Sequence, residues 1–393
     1  MSFEIHITKK LENFTLQADL SSNGNCTGIL GESGCGKSMF LKCIAGIETP
    51  DEGSIVLNGQ VLFDSAKKIN LPPQKRNIGY LFQNYALFPS MTVEENIAAG
   101  LFAGKRFISR KEKAQADAIV KEQIRRCRLE GLEKHYPSHL SGGQQQRTAL
   151  ARMLAVQPSM ILLDEPFSAL DSHLKDAMQR EMHEIIRNYP GNVLIVSHSR
   201  DELYRLCDSL CVMDRGQFVQ KGSIKEVFQS PGHVKAARLT GCKNITPARQ
   251  IGDQLFEAPE WGLTLHSESS NPSAAYIGIR AHYFRLLSAR TAAEQSISEQ
   301  PVSKQSVSEQ SVSEQLLSKQ MSPEQTPSDT INQFQAQIVQ VDERPFEYDY
   351  YLKTEQGSSS FVWKIAKSPD TEFQPGDWLM LYVAPEDVML LND

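Results

Sequence analysis

Eight residues, Gly31-Glu-Ser33-Gly34-Cys35-Gly36-Lys37-Ser38, constrain this chain more than any other stretch. Glycines leave room for a phosphate chain, and successive backbone N–H groups in such a loop turn inward as an anion nest. Lys37 is placed to reach β- and γ-phosphates as a point charge, and Ser38 to offer its hydroxyl to Mg²⁺. The flanks supply the required context. Before the loop, Cys26-Thr-Gly-Ile-Leu30 suits a buried strand; after it, Ser38-Met39-Phe-Leu-Lys-Cys-Ile-Ala45 can start a helix whose N-terminal dipole faces the phosphates. Strand, glycine loop and helix in this order imply a P-loop and a nucleotide site.

The 393 residues allow two or three domains with a substantial core. A net charge of −6 gives no global pull toward nucleic acid. The seven cysteines are scattered, odd in number and without a C-x-x-C pair, which argues against a disulfide framework or zinc site and for a reducing compartment. Cys35 lies inside the phosphate loop, either as a thiol whose modification would block nucleotide binding or simply as a small residue that fits there. No segment approaches the roughly 18 uninterrupted apolar residues of a membrane span, so any membrane role is expected to come through a partner.

Along the chain, Phe3–Thr8 and Phe14–Leu20 alternate apolar and polar residues, as half-buried antiparallel strands do. Gly53–Gly59 and Val61–Phe63 read as a hairpin turned by Asn58-Gly59. Arg76–Gln83 reads as a strand ending on an amide, and the charges and alanines from Ser109 to about Arg128 as helical. Leu140-Ser141-Gly142-Gly143-Gln144-Gln-Gln-Arg147 opens another helix. Met160-Ile-Leu-Leu-Asp164-Glu165 and Val193-Leu-Ile-Val-Ser-His198 are apolar strands ending in two acids and a histidine. Buried strands with polar carboxyl ends, separated by helices, describe a parallel sheet whose ligands bind at those ends. Beyond about residue 240, short alternating runs such as Ala275–Ile279, Gln335–Val341 and Trp378–Val383 suggest a small β-rich domain. Between them Gln recurs every five residues from Gln295 to Gln325, a tract too polar to offset its ordering entropy and read as a disordered insertion at 291–330.

Together these motifs resemble the nucleotide-binding subunit of an ATP-binding-cassette transporter, over about residues 1–240. The resemblance implies an α/β P-loop NTPase cassette at 1–235, a mixed sheet with helices and a helical subdomain at about 85–155. A small all-β, OB-like barrel of regulatory type would follow at 236–290 and 331–393. It implies ATP and Mg²⁺ as cofactors. Gly31, Ser33, Gly34, Cys35, Gly36, Lys37, Ser38 and Met39 are then the phosphate-loop contacts, with Ser38, Gln83 and Asp164 at the metal. Glu165 is the candidate general base, Gln83 the Q-loop glutamine and His198 the γ-phosphate sensor. Ser141, Gly142, Gly143 and Gln144 match the family signature, which caps the nucleotide of an opposite subunit, and Asp171 lies in the loop along that seam. One loop and one signature per chain imply a homodimer sandwiching two ATPs head to tail. The family's adenine-stacking aromatic is replaced at the equivalent position by Leu11, with Phe14 nearby, so either Phe14 substitutes or base stacking is weak.

The segment Asn84-Tyr-Ala-Leu-Phe-Pro89 looks like the importer type, which docks on integral membrane permease subunits at the cytoplasmic face and works with an extracytoplasmic solute-binding protein. The run Val61–Arg76 looks most like molybdate importers, with sulfate, tungstate or another small solute as alternatives. Gly278-Ile-Arg280 resembles a recurring segment of the regulatory domain, making Arg280 and Lys243 candidate oxyanion contacts. Two alternatives come from other classes: a soluble oxyanion-sensing cassette ATPase, and a cassette ATPase acting on DNA or ribosomes. The latter lacks its coiled-coil insertions and basic surfaces here.

Overall fold

Phe3, Ile5 and Ile7 alternate with polar neighbours, and so do Leu16, Ala18 and Leu20. Their strands β1 (Phe3–Lys10) and β2 (Thr15–Ser22) pair antiparallel and bury both apolar sets. The structure, a computed structural model, describes residues 2–12, 14–22, 24–102, 109–168, 170, 172–269, 271–290 and 331–393. The expected insertion at 291–330 and Asp171 lie outside the described residues. The chain forms two compact units, Met1–Pro231 and Gly232–Asp393.

In the first unit the apolar run β3 (Cys26–Leu30) is buried at every residue and feeds the loop into helix α1 (Lys37–Ala45). β4 (Glu52–Leu57) and β5 (Gln60–Asp64) form the hairpin, with Asn58 at φ 50° and Gly59 at φ 78° in its left-handed turn. Short β6 (Ile69–Asn70) completes an antiparallel sheet of order β2-β1-β4-β5-β6. The second sheet contains β7 (Ile78–Leu81), β8 (Met160–Asp164), β9 (Asn192–Ser197), β10 (Ser209–Asp214) and β11 (Gln217–Ser223), in the order β11-β10-β3-β9-β8-β7. All neighbours in it are parallel except β10 and β11. Parallel strands covered on both faces must be apolar throughout, which is why β3, β8 and β9 show no alternation. The strand order sets the carboxyl ends of β3, β9, β8 and β7 side by side.

Between β7 and β8 lie α2 (Val93–Ala99), α3 (Arg110–Arg126) and α4 (Gly142–Ala155). Each starts at a capping box, Thr92 with Glu95, Ser109 with Glu112 and Ser141 with Gln144. They bury Val93, Ile97, Val120, Ile124, Leu140 and Ala151 in a small core of their own.

The second unit is β-rich apart from the short helix Val234–Leu239. Its three antiparallel sheets all contribute to a core that includes Phe256, Ile277, Phe284, Tyr350, Trp363 and Leu381. The fold class expected from sequence, a P-loop cassette followed by an all-β domain, is the one observed. Strands Arg285–Arg290 and Gln333–Glu343, on either side of the 291–330 tract, both pair with Trp378–Tyr382.

Arg76 holds the phosphate-loop helix from behind. Only 1% exposed, its guanidinium donates to the carbonyls of Cys43 and Ile44 in the last turn of α1, at 2.9 and 2.8 Å, and to Leu71 O and Asn70 Oδ1. A cation at a helix C-terminus meets the negative end of the dipole and satisfies carbonyls that have no partner within the helix. Replacing Arg76 with Met fills the space but strands the Ile44 and Leu71 carbonyls, while Cys43 O keeps the Gly46 N–H. Urea unfolding should show a loss of about 3 kcal/mol, on the scale of one or two buried groups left unsatisfied.

Candidate nucleotide site

A cleft of about 430 Å³ opens where α1 meets the strand ends. Ser33, Gly34 and Gly36 line it from the loop, Lys37, Ser38 and Met39 from the start of α1, Gln83 and Glu165 from just past β7 and β8, and Leu11 and Phe14 from the β1–β2 turn. Gly34 at φ 83° and Gly36 at φ 111° take left-handed conformations that side chains rarely adopt, and a Cβ at Gly36 would come within 3.2 Å of the Phe14 ring. At Gly31 the obstacle is space: a Cβ there would sit 2.6 Å from both Cys35 Sγ and Met213 O.

Lys37 is buried, its ammonium donating to the carbonyls of Gly31 and Glu32, each at 2.8 Å. Ser38 Oγ donates to Asp164 Oδ1 at 2.8 Å, tying the start of α1 to the end of β8. The other carboxylate oxygen, Oδ2, accepts from the Tyr80 hydroxyl at 2.9 Å. Burial, reinforced by the charge of Asp164, pushes the Tyr80 phenol above its ordinary range and keeps it a donor. The oxygens gathered here, a hydroxyl, a carboxylate and the Gln83 amide at the cleft wall, are the hard donors that suit Mg²⁺.

One residue on, Glu165 stands at φ 46°, a left-handed conformation that a non-glycine holds at some cost. This turn takes its side chain off the strand direction and into the cleft. Its carboxylate Oε2 lies 3.1 Å from His198 Nδ1, a contact in which the ring N–H donates to the acid. The structure thus gathers the loop residues, Gln83, Asp164, Glu165 and His198 around one end of the parallel sheet.

The signature residues stand apart. Ser141 caps α4, its hydroxyl accepting from Gln144 N while its own N–H donates to Gln144 Oε1; Gly142 and Gly143 form the first turn. None of the four lines the cleft. Two features went unnoticed in the sequence. Tyr80 is invisible as a site residue until the β7–β8 register is known. Arg152 of α4 donates to the carbonyls of Tyr85 and Ala86, two residues just past Gln83 with φ of 59° and 44°. In the second unit Arg280 is buried and bonded to Thr240, and Lys243 Nζ lies 3.4 Å from the buried Asp349 carboxylate, so each cation already has a protein partner.

A family described as "ABC transporter" matches residues 15–168. A sulfate/thiosulfate import ATP-binding protein of Ralstonia nicotianae is 39% identical across 68% of this chain and 69% of its own length. The chain belongs to the ABC transporter family, as an ATPase subunit of the importer type. An Fe(3+) ions import ATP-binding protein of Haemophilus influenzae is 36% identical over 70% of this chain and 74% of its own. A spermidine/putrescine import ATP-binding protein of Oleidesulfovibrio alaskensis is 40% identical over 61% and 60%. ATP is the nucleotide of this cassette, and no helix among the described residues is long and apolar enough to cross a membrane.

The two units also place the thiols. All seven cysteines are buried and free, and Cys35 turns its Sγ inward to 4.0 Å from Lys37 Nζ, as a small residue that fits the loop. Burial pushes the Cys35 thiol up, and raises Cys43, Cys127 and Cys211 to about 12 and Cys242 to about 11. With few thiolates to attack, Ellman's reagent at pH 8 should find less than about one equivalent in the native protein and all seven after unfolding. Rapid native labelling would contradict this placement.

Proposed function

We propose that two copies of this chain bind two Mg²⁺–ATP head to tail and drive an importer for an oxyanion, molybdate in the first instance. The reading rests most on the cleft, where loop, Gln83 and Glu165 converge beside an Asp164 bonded to Ser38. Backbone N–H groups of residues 34–38 and the Lys37 ammonium hold the phosphate chain. Ser38, Asp164 and Gln83 would hold Mg²⁺, which when bound would supply positive charge against the triphosphate. Glu165, turned into the cleft, accepts a proton from the attacking water, and His198 orients Glu165 and contacts the γ-phosphate.

Because Ser141–Gln144 line no part of their own chain's cleft, they are free to close the cleft of a second copy. A helix N-terminus carrying a serine and two glycines suits a γ-phosphate. Phe14, and Leu11 beside it, form the apolar wall on which adenine rests. Permease subunits at the cytoplasmic face receive the motion, with a solute-binding protein outside. The second unit acts as the regulatory domain, and an oxyanion bound there would have to compete with the protein partners of Arg280 and Lys243. Sulfate/thiosulfate among the relatives' names, with the Val61–Arg76 run, supports an oxyanion cargo; iron and polyamine among them make the cargo the matter to test.

Glu165→Gln keeps the shape of the side chain and removes the base. Turnover of ATP should fall about 10²–10⁴-fold, the usual worth of such a group, while ATP binding persists and light scattering shows an ATP-dependent dimer. Undiminished hydrolysis would remove Glu165 from the reaction. Cargo is decided in the assembled transporter: molybdate should stimulate its ATPase above sulfate, Fe³⁺ or spermidine, and stimulation by a cation alone would replace the oxyanion reading.

A further inference from the structure

The carboxylate of Asp164 is held at both oxygens, and only one of the two holders belongs to the phosphate loop. Oδ1 accepts from Ser38; Oδ2 accepts from the Tyr80 hydroxyl at 2.9 Å. The second contact follows from strand register. β7 and β8 run parallel with Tyr80 opposite Leu162, and Leu162 and Asp164, two apart on one strand, project from the same face. A phenol at the Leu162 level is long enough to reach one step further along that face, to the strand end. Its ring packs into the core that α1 also covers and lies 4.4 Å, centroid to centroid, from Phe82. The hydroxyl therefore has a fixed base and a single direction.

We propose that Tyr80 is a positioning residue for the metal site, holding Asp164 Oδ2 so that Oδ1 stays turned toward Ser38 and Mg²⁺. The proposal rests on the nucleotide reading above and adds a part to it. Asp164 is buried to 7% exposure, so few waters can replace the phenol as a donor. Without that donor the carboxylate can swing about its last side-chain bond, and the oxygen presented to the metal is no longer fixed. Ser38 alone does not prevent the swing, because its hydroxyl is itself a metal ligand in the loaded site. The effect should appear in metal affinity and leave metal-free nucleotide binding alone, since Tyr80 does not line the cleft.

The test uses the full chain with Tyr80→Phe, which keeps the ring and deletes the hydroxyl, and Tyr80→Leu, which deletes both. Mn²⁺ is the probe, its free signal followed by electron paramagnetic resonance with a non-hydrolysable ATP analogue present; fluorescent ATP in EDTA reports metal-free binding. Both variants should bind Mn²⁺ about tenfold more weakly than wild type, the worth of one hydrogen bond to a charged acceptor, with metal-free affinity unchanged. The Mg²⁺ concentration for half-maximal ATPase should rise likewise, while turnover at saturating Mg²⁺ stays within about twofold. Wild-type Mn²⁺ affinity in Tyr80→Phe overturns the proposal, even if Tyr80→Leu is impaired, because the ring alone then suffices. Equal loss of metal-free and metal-bound affinity also overturns it. Absence of nucleotide-dependent Mn²⁺ binding in the wild type instead overturns the nucleotide reading, and this proposal with it.

Discussion

The bond from Ser38 Oγ to Asp164 Oδ1 joins residues 126 apart in sequence, and the rest of the cassette is arranged so that it can form. It requires α1 to begin where β8 ends. That in turn requires β3, β9 and β8 to be adjacent and parallel, since only parallel strands bring their carboxyl ends to one edge. The antiparallel sheet and the back of α1 serve the same end. Cys43, Ile44, Phe40 and Leu41 fill the space between the sheets, and Arg76 closes the far end of the helix. A helix anchored at its C-terminus by a buried guanidinium has its N-terminus fixed as well, and that end is where phosphate charge is to be met.

Part of the local conformational cost falls along that edge. Gly34, Gly36, Glu165, Tyr85 and Ala86 all hold positive φ, and each sits in or next to a segment lining the cleft. Glycine makes the first two easy. Glu165, Tyr85 and Ala86 have no such freedom, so the surrounding structure must hold them: Glu165 through its N–H to Val196 O, Tyr85 and Ala86 through Arg152. Arg152 belongs to the helix capped by Ser141, so the segment after Gln83 and the signature helix are bonded to one another within a single chain.

Much of this was legible in the residues. Cys26–Leu30 and Met160–Asp164 stand out as unbroken apolar runs because strands buried on both faces have no polar side, and Asn58-Gly59 turns its hairpin because both residues tolerate positive φ. What stayed hidden depends on long-range pairing. Arg76 sits in the polar run Pro72-Pro-Gln-Lys-Arg76-Asn77, where nothing marks one cation as buried and its neighbours as exposed. Tyr80 looks like an ordinary strand aromatic until its partner is known to be Leu162. Cys35 could be read either as a reactive loop thiol or as a small residue that fits, because a loop carries no periodicity from which inward orientation can be inferred. In the second unit the Gly278-Ile-Arg280 motif was visible, but the burial of Arg280 against Thr240 was not.

The central claim is that the lysine-bearing loop, opposite Asp164, is where the triphosphate binds. A crystal structure of the full chain with Mg²⁺ and a non-hydrolysable ATP analogue tests it most directly. The β- and γ-phosphates should lie against the backbone N–H groups of residues 34–38, with Lys37 Nζ drawn off the carbonyls of Gly31 and Glu32 and onto phosphate oxygens. A bound analogue whose phosphates lie elsewhere, with Lys37 still on those two carbonyls, would contradict the account.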